Sequence, residues 1–165
     1  MVEVILRAVR VDVGSSTPLL LLEEVGGQRS LPIYIGAPEA TSIAYALQNV
    51  ETPRPMSHDL MGHLIEALGA RVVAVEITDL RDNTYYATLR LARDGEEVEV
   101  SSRPSDGVAV ALRVGAPILV SDELMAAEGR VIELDDEDDE TPSESDLVAE
   151  LRDFLDTVRP EDFNQ

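Results

Sequence analysis

Two short stretches place titratable side chains where a helix should begin. One is Ser57-His58-Asp59, set directly behind the Pro-rich segment Thr52-Pro53-Arg54-Pro55. The other is Arg103-Pro104-Ser105-Asp106, at the head of a run that is apolar as far as Leu112. An imidazole can pass a proton, and a carboxylate can activate water or hold a divalent cation. A guanidinium grips phosphate through paired N–H groups. The start of a helix adds the positive end of its dipole, which favours anions. Glu39, just after Pro38, stands at a third such position. Asp59, His63 and Glu66 fall on one helical face, a stripe that would suit a metal or a proton path. Each group also has a plain structural reading. Asp59, Ser105 and Asp106 would cap their helices, each worth about 1 kcal/mol. His63 and Glu66, opposite a row of leucines, read as solvated surface. No nucleophile triad, Gly-rich phosphate loop or HExxH motif is present, and the absence of Cys excludes disulfides and thiolate metal sites.

The elements that must position these groups follow from periodicity. Residues 2–13 read as a long strand whose apolar parity changes near Ala8, the signature of a β-bulge. Strands at 18–24 and 29–35 flank the turn Gly26-Gly27. Ala40, Ile43, Ala44, Leu47 and Val50 recur at helical spacing, giving a helix over 38–49. Ser57 or Asp59 caps the next helix, whose buried face is expected to be Leu60, Leu64 and Leu68 with Met61 and Ile65. A three-stranded meander over 71–102 turns at Asp82-Asn83 and Asp94-Gly95. The helix at 104–114 has almost no polar face, so it belongs inside the domain. Arg113 in its last turn, Gly115 and Pro117 stop it. A strand at 116–120, a short helix capped by Ser121 over 122–128 and a last strand at 131–134 follow. Strands and helices are segregated, which predicts an α+β fold with a largely antiparallel sheet around a buried central helix.

The formal net charge is -20. Residues 133–165 hold 14 acidic residues and 2 Arg, leaving a net of -8 for residues 1–132. With no basic footprint to displace counterions, broad electrostatic binding of nucleic acid is disfavoured, so any nucleic-acid chemistry needs a local Arg cluster or bound cations. No apolar run reaches membrane-spanning length and the first residues carry charges, so a cytoplasmic protein is expected. The predicted organisation is a domain over 1–134, an acidic linker over 135–145 and an amphipathic helix over 146–159 bearing Leu147, Leu151, Phe154, Leu155 and Val158.

Several ordered segments resemble the bifunctional nuclease domain family. They are LPIYIGAPEATSIAYAL, RPMSHDLMGHLIEALGARV, TYYATLRL and SRPSDGVAVALRVGAPILVSDEL. The resemblance implies an α+β fold, assembly into homodimers or higher homo-oligomers, and nuclease activity on RNA and DNA. By position it singles out Glu39, Arg54, His58, Asp59, Arg103, Ser105 and Asp106. Many members have an acidic residue where this chain has Ser101, and Ala where it has Gly107. Two functional expectations follow. In the first, a divalent-metal-assisted phosphodiesterase uses Glu39, Asp59 and Asp106 as ligands for Mg²⁺ or Mn²⁺. His58, Asp59 and Asp106 then carry the catalysis, with His58 as proton shuttle. Arg54 and Arg103 clamp phosphate, and Ser105 binds substrate at the same mouth. In the second, the same residues cap helices and bridge subunits of a non-catalytic binding or regulatory module.

Overall fold

The computed structural model describes residues 1–12 and 14–132. The predicted acidic linker and C-terminal helix lie outside the described residues. Among the described residues, eight strands form one sheet. They are β1 (Val2–Asp12), β2 (Thr17–Glu24), β3 (Arg29–Tyr34), β4 (Ala70–Arg81), β5 (Thr84–Arg93), β6 (Glu96–Ser102), β7 (Ile118–Val120) and β8 (Arg130–Val131). Their order is β6-β5-β4-β7-β1-β2-β3-β8. Only β4 and β7 run parallel; the other pairs are antiparallel. The architecture is α+β with a mostly antiparallel sheet. The register of β1 on β2 shifts between Leu6 and Ala8, at the change of parity. Asp82 and Asn83 both take positive φ, 48° and 59°, as a two-residue hairpin with right-handed strand twist requires.

The helices among the described residues are α1 (Ala37–Leu47), α2 (Ser57–Ala67), α3 (Pro104–Val114) and α4 (Asp122–Glu128). Helix α3 packs against α1, α2, β4 and β5. Val108, Ala109, Val110 and Ala111 are sealed between them, with Val75 and Ile77 of β4 beneath. Each fully buried Val or Ile stabilises the fold by roughly 1.5–3 kcal/mol. The helix approaches β4 so closely at Gly107 that a Cβ there would sit 2.7 Å from Val75 Cγ1. It ends at Gly115, which takes the left-handed φ of 68°.

Helix α2 corrects the sequence reading. Leu60, Met61, Leu64 and Leu68 face outward, with Leu68 66% exposed, and His58 is the buried residue. Periodicity shows which side chains share a face, not where that face points. Here the opposite side is turned to α3. Gly62 lets the helices close, since a Cβ on it would lie 3.4 Å from Val114 Cγ1. Asp59 and His58 are drawn inward by polar partners that α1 and α3 supply.

The sheet also curls. Tyr85, at the start of β5, donates its hydroxyl to Pro32 O of β3 at 3.5 Å. These strands stand five places apart in the sheet, so the β4–β5 hairpin arches back towards β3.

Candidate functional site

Glu39, His58 and Asp106 each lie in the first turn of a helix, α1, α2 and α3 respectively. The fold brings these three starts together. Arg103, the residue before α3, donates from Nε to Asp106 Oδ2 at 2.8 Å and from Nη2 to Asp106 Oδ1 at 3.0 Å. The same Nη2 donates to Glu39 Oε1 at 2.7 Å. Behind Asp106, its Oδ1 lies 3.1 Å from His58 Nε2, and His58 Nδ1 lies 2.8 Å from Ser42 Oγ. A continuous polar line thus runs Ser42–His58–Asp106–Arg103–Glu39. Ser42 and His58 are sealed at 3% and 7% exposure, while the Arg103 side chain is 65% exposed. The line runs from the core out to Arg103 and turns back to the mostly covered Glu39 side chain.

The ionisation of this line has definite causes. Burial is the largest influence on Asp106 and opposes its charge. Hydrogen bonds from Arg103 and His58, with their favourable charge, outweigh it and hold the carboxyl below its ordinary value. Hydrogen bonds to Asp106 and Glu39 push Arg103 further up, so it stays a cation. Glu39 folds back over its own helix start. A Cβ on Gly36 would collide with its Oε2, so only glycine leaves room for this pose.

A second charged pair lies on the other side of Ser42 and His58. Arg113 donates from Nε to Asp59 Oδ1, from Nη1 to Ala109 O at 2.9 Å and from Nη2 to Ser42 O at 3.0 Å. The other Asp59 oxygen accepts the Met56 N–H at 2.8 Å. Burial again opposes the charge of Asp59. Arg113, that backbone N–H and His63 outweigh it and lower its carboxyl. This pair borders the larger cavity, about 900 Å³, whose walls include His63, Glu66, Arg71 and Val114.

The sequence-predicted residues therefore separate. Glu39, His58, Arg103 and Asp106 meet. Asp59 is engaged by Arg113 and the start of α2, so the predicted ligand set Glu39, Asp59 and Asp106 is not one cluster. Among the described residues no three His, Cys, Asp or Glu side chains are arranged to hold a metal ion. The expected capping roles of Ser105 and Asp106 are also corrected. The helix has no side-chain cap, and both residues lie inside its first turn. Asp59 does serve the start of α2. Arg54 is exposed and enters no ion pair among the described residues. Ser105 is 5% exposed and lines a smaller cavity with Arg103. Sequence reasoning missed Ser42 and the role of Arg113. The one available signal for Ser42 was a hydroxyl inside the apolar face of α1, three residues after Glu39.

These features define an α+β domain with a mixed carboxylate, imidazole and guanidinium cluster at the meeting point of three helix starts. The sequence profile of the bifunctional nuclease domain matches residues 20–133, and the chain belongs to that family. It is 46% identical over 162 residues to an uncharacterized protein of Mycobacterium tuberculosis, covering 98% of this chain and 97% of that protein. It is 30% identical over 148 residues to a bifunctional nuclease of Oryza minuta, covering 87% of this chain and 43% of the plant protein. Bifunctional nuclease 2 of Arabidopsis thaliana is 28% identical over 134 residues, covering 79% of this chain and 41% of that protein. The chain thus spans less than half the length of these plant relatives. Among the described residues no helix is long and apolar enough to cross a membrane.

Proposed function

We propose that this chain hydrolyses phosphodiester bonds of RNA or DNA at the cluster of Glu39, Arg103 and Asp106. The observation that carries the reading is the shared guanidinium. Two carboxylates from separate helices are held on one exposed Arg, beside helix starts that favour phosphate. Arg103 would meet the phosphate oxygens. Its Nη1 enters no hydrogen bond among the described residues, so it can keep both carboxylates and still offer a donor edge. Asp106 or Glu39 would take the proton of the attacking water. His58 is too enclosed to reach substrate, and would instead orient Asp106, with Ser42 fixing the ring.

Glu39 Oε1 and Asp106 Oδ1 both accept from Arg103 Nη2, so a hard cation bound by these two carboxylates would take the place of that nitrogen and complete its shell with water and phosphate. Mg²⁺ or Mn²⁺ held there would supply charge relief on the phosphate and a more acidic water. Asp59 has no part in this site. The test is cleavage of single-stranded DNA and RNA by purified protein, with and without EDTA, beside Asp106→Asn and Glu39→Gln. Loss of cleavage in both variants supports the reading. Undiminished cleavage by both overturns it.

One observation favours a second reading, an oligomeric module without catalysis. The outward leucines of α2 form an apolar stripe that a second copy of the chain would cover. Sedimentation of wild type and Leu64→Glu decides whether homo-oligomers form through that stripe. Oligomers combined with no cleavage would favour the module.

A further inference from the structure

Beside the carboxylate cluster lies a cavity of about 390 Å³, within the roughly 300–1,000 Å³ span of small-ligand sites. Its lining includes Arg103 and Ser105 at the start of α3, Tyr34 and Gly36 at the end of β3, and Asn83 and Tyr85 of the β4–β5 hairpin. The curl of the sheet creates it, because the β4–β5 hairpin reaches across to the end of β3. We infer that this cavity is a nucleotide subsite, in which Tyr34 stacks on an unpaired base while the start of α3 takes the adjoining phosphate. The inference rests on the nuclease reading and extends it from the reacting centre to the residues that select the strand.

Three observations carry it. Ser105 is 5% exposed and faces the cavity, yet none of the hydrogen bonds among the described residues uses its hydroxyl. Ser105 lines the cavity, so its hydroxyl is open to a ligand seated there. The N–H groups of Ser105 and Asp106, in the first turn of α3, have no preceding carbonyl in the helix to receive them, and no side chain caps it. With the Ser105 hydroxyl and Arg103 Nη1 they make a set of donors matched to phosphate oxygens. The third observation is Tyr34, which is 61% exposed at the end of β3 although it lines the cavity. An aromatic ring left open beside a phosphate-sized cradle suits a base, and stacking accepts any base sequence. A base held in a duplex has both faces covered by its neighbours, so the subsite selects single strands.

The test is fluorescence anisotropy of a labelled oligothymidylate, compared with the same strand carrying an abasic position. It uses the full chain and the variants Tyr34→Ala, Tyr34→Phe and Ser105→Ala. Tyr34→Ala is expected to weaken binding about tenfold, the value of one stacked base. Tyr34→Phe should retain wild-type binding, and wild type should hold the abasic strand more weakly than the intact one. Ser105→Ala should weaken both strands equally. Wild-type affinity in Tyr34→Ala overturns the subsite, even if cleavage is intact and the nuclease reading stands. Strand binding that depends on Tyr34 in a protein that cuts nothing upholds the subsite and removes the nuclease reading. Wild type that binds neither strand overturns the subsite.

Discussion

Arg103 and Arg113 stand at opposite ends of α3, and each holds an aspartate from the first turn of a helix. Their surroundings differ. The Arg113 side chain is 12% exposed, and all three of its guanidinium nitrogens donate within the protein. It ties α3 to the start of α2 and to the backbone of α1. Arg103 is 65% exposed, leaves Nη1 open and shares one nitrogen between two carboxylates. A saturated cation fastens helices together, whereas an unsaturated one can exchange partners. That difference, rather than residue type, separates a strut from a candidate site.

The contrast can be broken by experiment. The largest effect expected is on turnover: Asp106→Asn should lower phosphodiester cleavage by about 10²–10³-fold, the usual value of a positioned acid–base group. Asp59→Asn should keep most of the activity of the protein that remains folded. Equal losses in the two variants would erase the distinction. The next effect is on stability. Arg113→Ala leaves Asp59 partly buried and unpaired, and should cost about 2 kcal/mol, at the low side for a broken ion pair because Asp59 keeps some water. Thermal denaturation should register that as roughly 4–8 °C. Arg103→Ala, at an exposed position, should cost less than about 1 kcal/mol in the same melt.

A titration sharpens the comparison. Both aspartates have folded-state pKa values below their unfolded ones. Their contribution is therefore present above the unfolded value, about 3.9, and is lost as pH falls through the folded value. Wild type should lose stability as pH is lowered below about 4 to 5. Asp59→Asn and Asp106→Asn should each flatten the acid limb of the stability curve. A limb unchanged in both variants would show that neither pair tightens on folding. The smallest effect is at Arg54, where Arg54→Ala should shift stability by no more than about 0.5 kcal/mol. A larger shift would reveal a contact that the fold does not account for.

Where local chemistry dictates local structure, the sequence could be read directly. Pro104 and Gly115 bracket α3, the parity change marks the bulge in β1, and Asp82-Asn83 marks its hairpin. The candidate cluster was legible only by halves. Glu39, Arg103 and Asp106 announce themselves by lying at helix starts, but nothing local shows which aspartate joins them. Asp59 and Asp106 share the same sequence context. Only the packing of α2 decides that one faces Arg113 and the other Arg103. The leucines of α2 failed for a related reason. A hydrophobic stripe implies burial only when every polar residue opposite it is content in water, and here His58 and Asp59 were not. Ser42 was hidden because a serine on an apolar helix face gains meaning only from its partner, His58.

The hairpin at Asp82-Asn83 has a consequence for how this domain can vary. Its two residues set the phase of β5, so that Tyr85 turns towards the cavity while Tyr86 stands over Arg81 on the exposed side. One extra residue in that turn would slide the strand by a single position and exchange the two tyrosines. The far wall of the cavity would be rebuilt although no residue lining it had been substituted. Length at this turn, and not side-chain identity alone, therefore sets which tyrosine faces the cavity.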